Sequence, residues 1–432
     1  MRKRVLYVVE TLAGCGTTDF VCDLARHLDP RRFAPAVLAL RAAPTDDWSA
    51  REQAGLRRFE AQGIPAWVLH LRADQNFRRR TRPLTRWLRE RRPDVVHAHS
   101  RPADLWCAWS GRRAGVPVRI YSRQATYGGL SLTTRLRYAL AARSGAGVVA
   151  VSAAVARHLR ADEWAPEGRV FAIPDGVDFE KLAPSDPPPV VLRDKLGLPE
   201  EARLVTCLAS LQARKGQGVL IDAWPRVQAR HPDAHLVLVG TGPEQPSLVA
   251  RARAVGCEAA IVFAGWRDDY VDLLDQSEMI AHPSLWEGFS LTLLSAAALA
   301  KPIVATPLSS NLEMLGAAGC RFPEPRDIRD EFESQDPRAW ARAIADLLDD
   351  RRAARRLGRE ARRRVRARFS AELTARRHEA LYDALLERAQ VHWGGARPYG
   401  GSLRFAGKTQ RFRPPATARV GAIRAATGGV SR

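Results

Sequence analysis

With 432 residues, 46% hydrophobic and 27% charged, the chain is long enough for about two or three cored domains, and its composition is that of an ordinary soluble globular protein. No window approaches the ~18 apolar residues of a membrane span, and the basic start MRKRVLYVVETLAG has an apolar run too short for a secretory leader. The formal charge of +21, carried almost entirely by arginine, fits either a solvated arginine-rich surface or anionic partners such as phosphorylated small molecules, acidic lipid headgroups or nucleic acid.

Short apolar runs alternate with amphipathic stretches through the first half. The segments RVLYVV, APAVLAL, AWVLHL, DVVHAH, VRIYS, GVVAVS and VFAIP read as strands with helices between most of them, the rhythm of βαβ units and a parallel, doubly wound α/β sheet. After the first strand, ETLAGCGTTDF opens a helix. Gly14 and Gly16 let backbone approach a ligand closely there, although a plain tight turn uses the same residues. Residues 78–92 hold eight arginines against one acid, Glu90, with Leu84, Trp87 and Leu88 at helical spacing. Such a helix either lies on an anionic membrane or packs Trp87 inward with its arginines in water. DVVHAHS places His97 and His99 on one strand face, as core histidines or at the edge of a site. The next strand ends in YSRQATYGG, where Gln124 can donate a hydrogen bond but cannot take a proton at neutral pH.

At IPDGVDFEKLAPSDPPP the alternation breaks into a proline-rich linker, and a second series follows: RLVTCLAS, HLVLVG, AIVFAG, MIAHPS and PIVAT. Two sheets joined by one linker predict a site at the carboxyl ends of their strands. The stretch HPSLWEGFSLTLLSAAALAKPIVATP organises the second half: Ser290 caps a helix, and Glu287 stands beside its unpaired N–H groups, a good seat for phosphate oxygens. Helices from Ala339 to about Gln390 follow, and residues 393–432, with eight glycines, eight basic residues and no acid, predict a disordered basic tail. Six cysteines without metal or CxxC spacing read as reduced thiols of a cytoplasmic protein.

EGFSLTLLS, followed by AKPIVAT and SSNLE, resembles the donor-binding signature of family-four retaining glycosyltransferases, the glycosyl transferases group 1. In that signature a Glu is followed by Gly, an aromatic residue and, eight positions from the first, a second Glu; here the two positions hold Glu287 and Ser295. The resemblance covers roughly residues 3–390. It implies the GT-B architecture, two Rossmann-like doubly wound parallel-sheet domains facing across a cleft. The expected division is an acceptor-side domain at 1–178, a linker at 179–189, a nucleotide-sugar domain at 190–370, a helix at 371–392 packing back on the first domain, and the tail.

The resemblance also implies roles. Glu287 contacts hydroxyls of the donor sugar, and the family's second carboxylate, here Ser295, contacts the ribose. Lys215 neutralises the leaving diphosphate, with Ser210 where the family has Arg; Arg214 is a second candidate charge by its proximity in sequence alone. Gly14 and Gly16 approach the diphosphate, His99 lies at the cleft edge, and Gln124 stands near the transferred sugar. Trp266 and Arg267 are candidates to hold the base, while Gly288, Phe289, Ser290, Leu291 and Glu313 stand beside the donor. The implied function is transfer from a UDP- or GDP-linked sugar to a glycan or lipid-linked acceptor, with no obligatory cofactor or metal and no nucleic acid partner. The expected location is cytoplasmic, peripheral on the inner face of the membrane through residues 78–92. The alternative is a degenerate relative that binds without turnover.

Overall fold

The computed structural model describes residues 1–13, 16–41, 46–71, 77–99, 103–126, 130–183, 192–323 and 335–392. Gly14, most of the linker and the tail 393–432 lie outside the described residues. The first seven strands are β1 (Lys3–Val9), β2 (Phe33–Ala39), β3 (Ala66–Val68), β4 (Val95–Ala98), β5 (Val118–Arg123), β6 (Gly147–Ala150) and β7 (Val170–Ala172). They form one parallel sheet in the order β3-β2-β1-β4-β5-β6-β7. The next five are β8 (Arg203–Leu208), β9 (Ala234–Val239), β10 (Ile261–Gly265), β11 (Met279–His282) and β12 (Ile303–Ala305), parallel in the order β10-β9-β8-β11-β12. Helices cover both faces of such sheets, so their strands are buried on both sides and read as continuous apolar runs. The burial of Val5–Val9 and Leu236–Val239 follows that rule.

In each sheet the strand order reverses once, between β1 and β4 and between β8 and β11. Loops leaving the strands on either side of such a reversal diverge and open a crevice at the carboxyl edge. The glycine-bearing loop follows β1, His99 follows β4, Lys215 follows β8 and Glu287 follows β11. The topology thus gathers residues distant in sequence.

Among the described residues, the segments leading out of the first sheet and back to it meet at Val177 and Ser370. Val177 N–H donates to the Phe369 carbonyl at 2.9 Å, and Ala371 N–H donates to the Val177 carbonyl at 2.9 Å. Gly176 permits this contact, because a Cβ there would stand 2.4 Å from the Ser370 carbonyl oxygen. From Ala371 the last helix, Ala371–His392, runs back along the first sheet. Glu379 accepts from Asp29 N–H at 2.6 Å and pairs with Arg32 at 3.0 Å, while Asp383 pairs with Lys3 and Arg32.

The helix's inner face meets β4 through a buried polar chain. Tyr382 donates to Tyr7 Oη at 3.3 Å, so its oxygen accepts from His97 Nδ1 at 2.8 Å, which leaves His97 Nε2 to accept from Ser122 at 2.8 Å. His99 lies 4.1 Å, centroid to centroid, from His97, and His378 lies 5.5 Å from His97. Burial, reinforced by the neighbouring imidazoles, holds His97 and His99 well below the ordinary histidine range. Burial likewise lowers His378 to about 4.

The helix expected over residues 78–92 runs Phe77–Arg91. Leu84, Trp87 and Leu88 are buried, and Trp87 meets Trp67 edge-on at 5.5 Å. Arg91 caps both rings from 5.0 and 5.7 Å. Of the two readings of this helix, the inward-packing one describes Leu84, Trp87 and Leu88.

The buried imidazoles take a proton more readily in the unfolded chain, near pH ~6.5, than in the fold. Stability is therefore full above about pH 6.5 and declines as pH falls toward the folded values, by about 3 kcal/mol at most through His378 alone. The melting temperature is expected to fall between about pH 7.5 and 5, and His378→Leu to flatten that slope. Identical slopes for the two proteins would mean that this imidazole titrates freely in the fold.

Candidate active site

Glu287 occupies the loop between β11 and the helix Leu291–Ala298. Its carboxylate is almost wholly removed from water, its side chain 9% exposed. Lys215 Nζ pairs with Oε1, Ser284 Oγ donates to Oε1 at 2.9 Å, and His282 Nε2 lies 3.4 Å away. Arg214 approaches Oε2 at 3.6 Å. Burial by itself would raise the carboxyl's pKa, but Lys215 and the His282 contact outweigh it and hold the group well below the usual carboxylate range. Glu287 is consequently an acceptor-only anion at neutral pH and has no proton to give.

Local backbone chemistry brings Lys215 to Glu287. The turn Ala213–Lys215 after β8 ends at Gly216, whose φ of 65° favours glycine. A Cβ at Gly216 would meet the Pro283 carbonyl oxygen at 2.2 Å, so the turn nests directly on the loop that carries Glu287. Leu285 N–H donates to the Arg214 carbonyl at 2.8 Å and joins the two loops. Ser290 caps the following helix, its Oγ accepting from Leu293 N–H at 3.3 Å.

The two sheets meet around this loop at several points. A Cβ on Gly288 would stand 2.0 Å from the Gln124 carbonyl oxygen at the end of β5, so only glycine allows that approach. Gly16 lies against Leu291, with 3.2 Å between a built Cβ and Leu291 Cδ1. Glu313 accepts from Ala153 N–H at 2.8 Å, at the start of the helix Ala153–Ala161. Arg51 lies 5.0 Å over the Trp266 ring. Between the halves is a cavity of about 400 Å³, lined by Thr126, Arg157 and His158 on one side and Trp286, Glu287 and Ser309 on the other.

The other residues singled out in the sequence take varied positions. Phe289 turns inward onto Phe369, ring centroids 5.2 Å apart. Ser295 is buried within its helix, and the Ser210 carbonyl accepts from Gln217 at 2.9 Å. Arg267 is committed to Asp269 through a 2.7 Å hydrogen bond, and Trp266 donates to Asp268 at 2.9 Å. His99 is buried 5.8 Å from the Phe20 ring, with neither ring nitrogen hydrogen-bonded, and does not line the cavity. Gln124 Nε2 is likewise inaccessible and unpartnered. Arg123, its neighbour, is consumed by Asp104 at 2.8 Å and Glu163 at 2.6 Å.

Sequence reasoning missed His282 and Ser284, which complete the setting of Glu287, and Trp286, Arg157 and Thr126, which line the cavity. The signal for the first pair was the HPS run at the strand's end. The cavity's first-domain wall left no local signal.

Comparison with known proteins accounts for both halves. Residues 15–181 match the model described as Glycosyltransferase Family 4, and residues 202–350 match Glycosyl transferases group 1. The D-inositol 3-phosphate glycosyltransferase of Corynebacterium urealyticum is 31% identical over 200 residues, 44% of this chain and 45% of that protein. The GDP-mannose-dependent alpha-(1-6)-phosphatidylinositol monomannoside mannosyltransferase of Mycolicibacterium smegmatis is 29% identical over 267 residues, 56% of this chain and 64% of that protein. The chain thus spans about half to under two thirds of the length of these curated relatives. Among solved structures, Anabaena HepE in complex with UDP and glucose superposes with a TM-score of 0.74 at 19% identity, covering 89% of this chain and 100% of that one. With both halves matched in order and both sheets wound alike, the chain belongs to the family-four, group 1 glycosyl transferases and has the GT-B architecture.

Proposed function

We propose that the protein is a retaining glycosyltransferase, moving a sugar from a UDP- or GDP-linked donor to a glycan or lipid-linked acceptor on the cytoplasmic side. The observation that carries this reading is the Glu287 carboxylate, ionised, paired with Lys215 and bordering the cavity between the sheets. A carboxylate repels phosphate and accepts from hydroxyls, whereas an ammonium attracts phosphate. A sugar diphosphate satisfies both groups together: its hydroxyls replace Lys215 on Glu287, and its phosphate oxygens take up the released Lys215 charge. Arg214 and the N-terminus of Leu291–Ala298 add to the same positive field, so the reading calls for no obligatory metal.

In this reading the donor sits on the second domain, residues 190–370, and the acceptor enters from the first, residues 1–178. The bond between the sugar's anomeric carbon and the phosphate oxygen breaks as the acceptor hydroxyl attacks from the same face, and the hydroxyl proton passes to the departing phosphate. Glu287 orients the sugar and takes no proton. Similar proteins support the donor class: one is a GDP-mannose-dependent mannosyltransferase, and Anabaena HepE, of like fold, was solved in complex with UDP and glucose. Ser295 and Ser210, standing where the family signature has charged residues, favour the second reading, a protein that binds the donor without turning it over.

A panel of UDP- and GDP-sugars separates the two readings. Thermal stabilisation accompanied by sugar release or transfer supports the enzyme, and stabilisation with no sugar ever released supports the binding protein. Lys215→Ala is expected to lower transfer by roughly tenfold or more, chiefly in kcat; a near-normal rate removes Lys215 from its role. Glu287→Gln keeps the shape but loses the anion, and transfer is expected to drop by about two orders of magnitude with donor stabilisation weakened. Unchanged kinetics in that variant would discard the reading of Glu287.

A further inference from the structure

The helix Leu132–Arg143 turns large apolar side chains outward. Leu132, Leu136 and Leu140 are 62%, 46% and 53% exposed, and their spacing of four aligns them in one stripe. The inward face is complete without them: Tyr138, Ala139, Ala141 and Ala142 are buried, and Tyr138 Oη donates to the Asp104 carboxylate at 2.8 Å. Three leucines left in water on a well-anchored helix mark a surface that another phase covers.

The charge around the stripe selects that phase. Residues 131–147 contain no acid, and Arg137 and Arg143 are exposed on the same helix. Leucines that enter an acyl boundary beside arginines that reach phosphates are the two components of interfacial membrane binding. In the helix Phe77–Arg91, by contrast, Leu84, Trp87 and Leu88 are spent in the core. Position adds a third argument. Thr126, just before the Ser131 cap in sequence, lines the cavity that Glu287 borders.

We propose that the helix Leu132–Arg143 docks on an anionic bilayer, its leucine stripe in the headgroup boundary and Arg137 and Arg143 on lipid phosphates. The docking rests on the helix surface alone. That it presents a lipid-linked acceptor to the cavity rests on the reading of that cavity given above.

The test is co-sedimentation of the full chain with vesicles of phosphatidylcholine alone or mixed with phosphatidylglycerol. The wild type is expected to bind the mixed vesicles at least about tenfold more tightly than the neutral ones, and the Leu132→Ser/Leu136→Ser/Leu140→Ser variant to lose about tenfold or more with its melting temperature unchanged. Arg137→Glu/Arg143→Glu, which keeps the leucines, is expected to abolish the preference for the anionic lipid. Equal binding by wild type and the serine variant overturns the proposal. So does a wild-type dimer that the serine variant converts to monomer while neither sediments with vesicles. A wild type that binds vesicles but ignores every nucleotide sugar counts against the catalytic reading and leaves the docking standing.

Discussion

A carboxylate withdrawn from water has to be met by positive charge and hydrogen-bond donors, and the groups that meet Glu287 come from loops far apart in the chain. Lys215 and Arg214 follow β8, whereas His282 and Ser284 close β11. These loops are neighbours because β8 and β11 are adjacent in the second sheet, and they touch because Gly216 has no side chain to keep them apart. The ion pair is accordingly a product of the sheet's winding order. Of the two partners, the carboxylate is the one that borders the cavity.

Glycine stands at two of the places where the halves come close. At Gly288 the second domain's loop lies against the backbone of Gln124, and at Gly16 the first domain's helix start meets Leu291. At Gly288 backbone lies directly on backbone, which fixes the width of the gap more tightly than a side chain such as Leu291, which can change rotamer. The bond from Ala153 to Glu313 and the Arg51–Trp266 contact are different in kind, being single side-chain bridges across the same gap.

The twelve strands were legible because a parallel strand buried on both faces is a continuous apolar run, and none of these runs competes with a long helix. Glu287, after β11, borders the cavity, whereas His99, after β4, is buried away from it. What local pattern could not convey was each side chain's distant partner. Phe289 lies in a loop beside a carboxylate yet packs on Phe369, eighty positions away. His99 and His97 share a strand face, but only the return of the last helix shows that this face is closed by His378 and Tyr382. Trp87 had two readings until Trp67 appeared beside it. Leu132, Leu136 and Leu140 run against the ordinary pattern, since helical spacing of leucines usually marks the buried side, and here alanines and Tyr138 hold that place.

The crossing at Val177 and Ser370 has a consequence for how such a protein can be built. The outgoing and returning strands are hydrogen-bonded to each other, so everything between them forms a lobe whose two ends lie side by side on its neighbour. Topologically the second sheet is a guest within the first, which is complete only once the final helix has come home. A lobe attached in this way can be exchanged for a homologous one without stretching its host, because both of its ends are joined at a single seam.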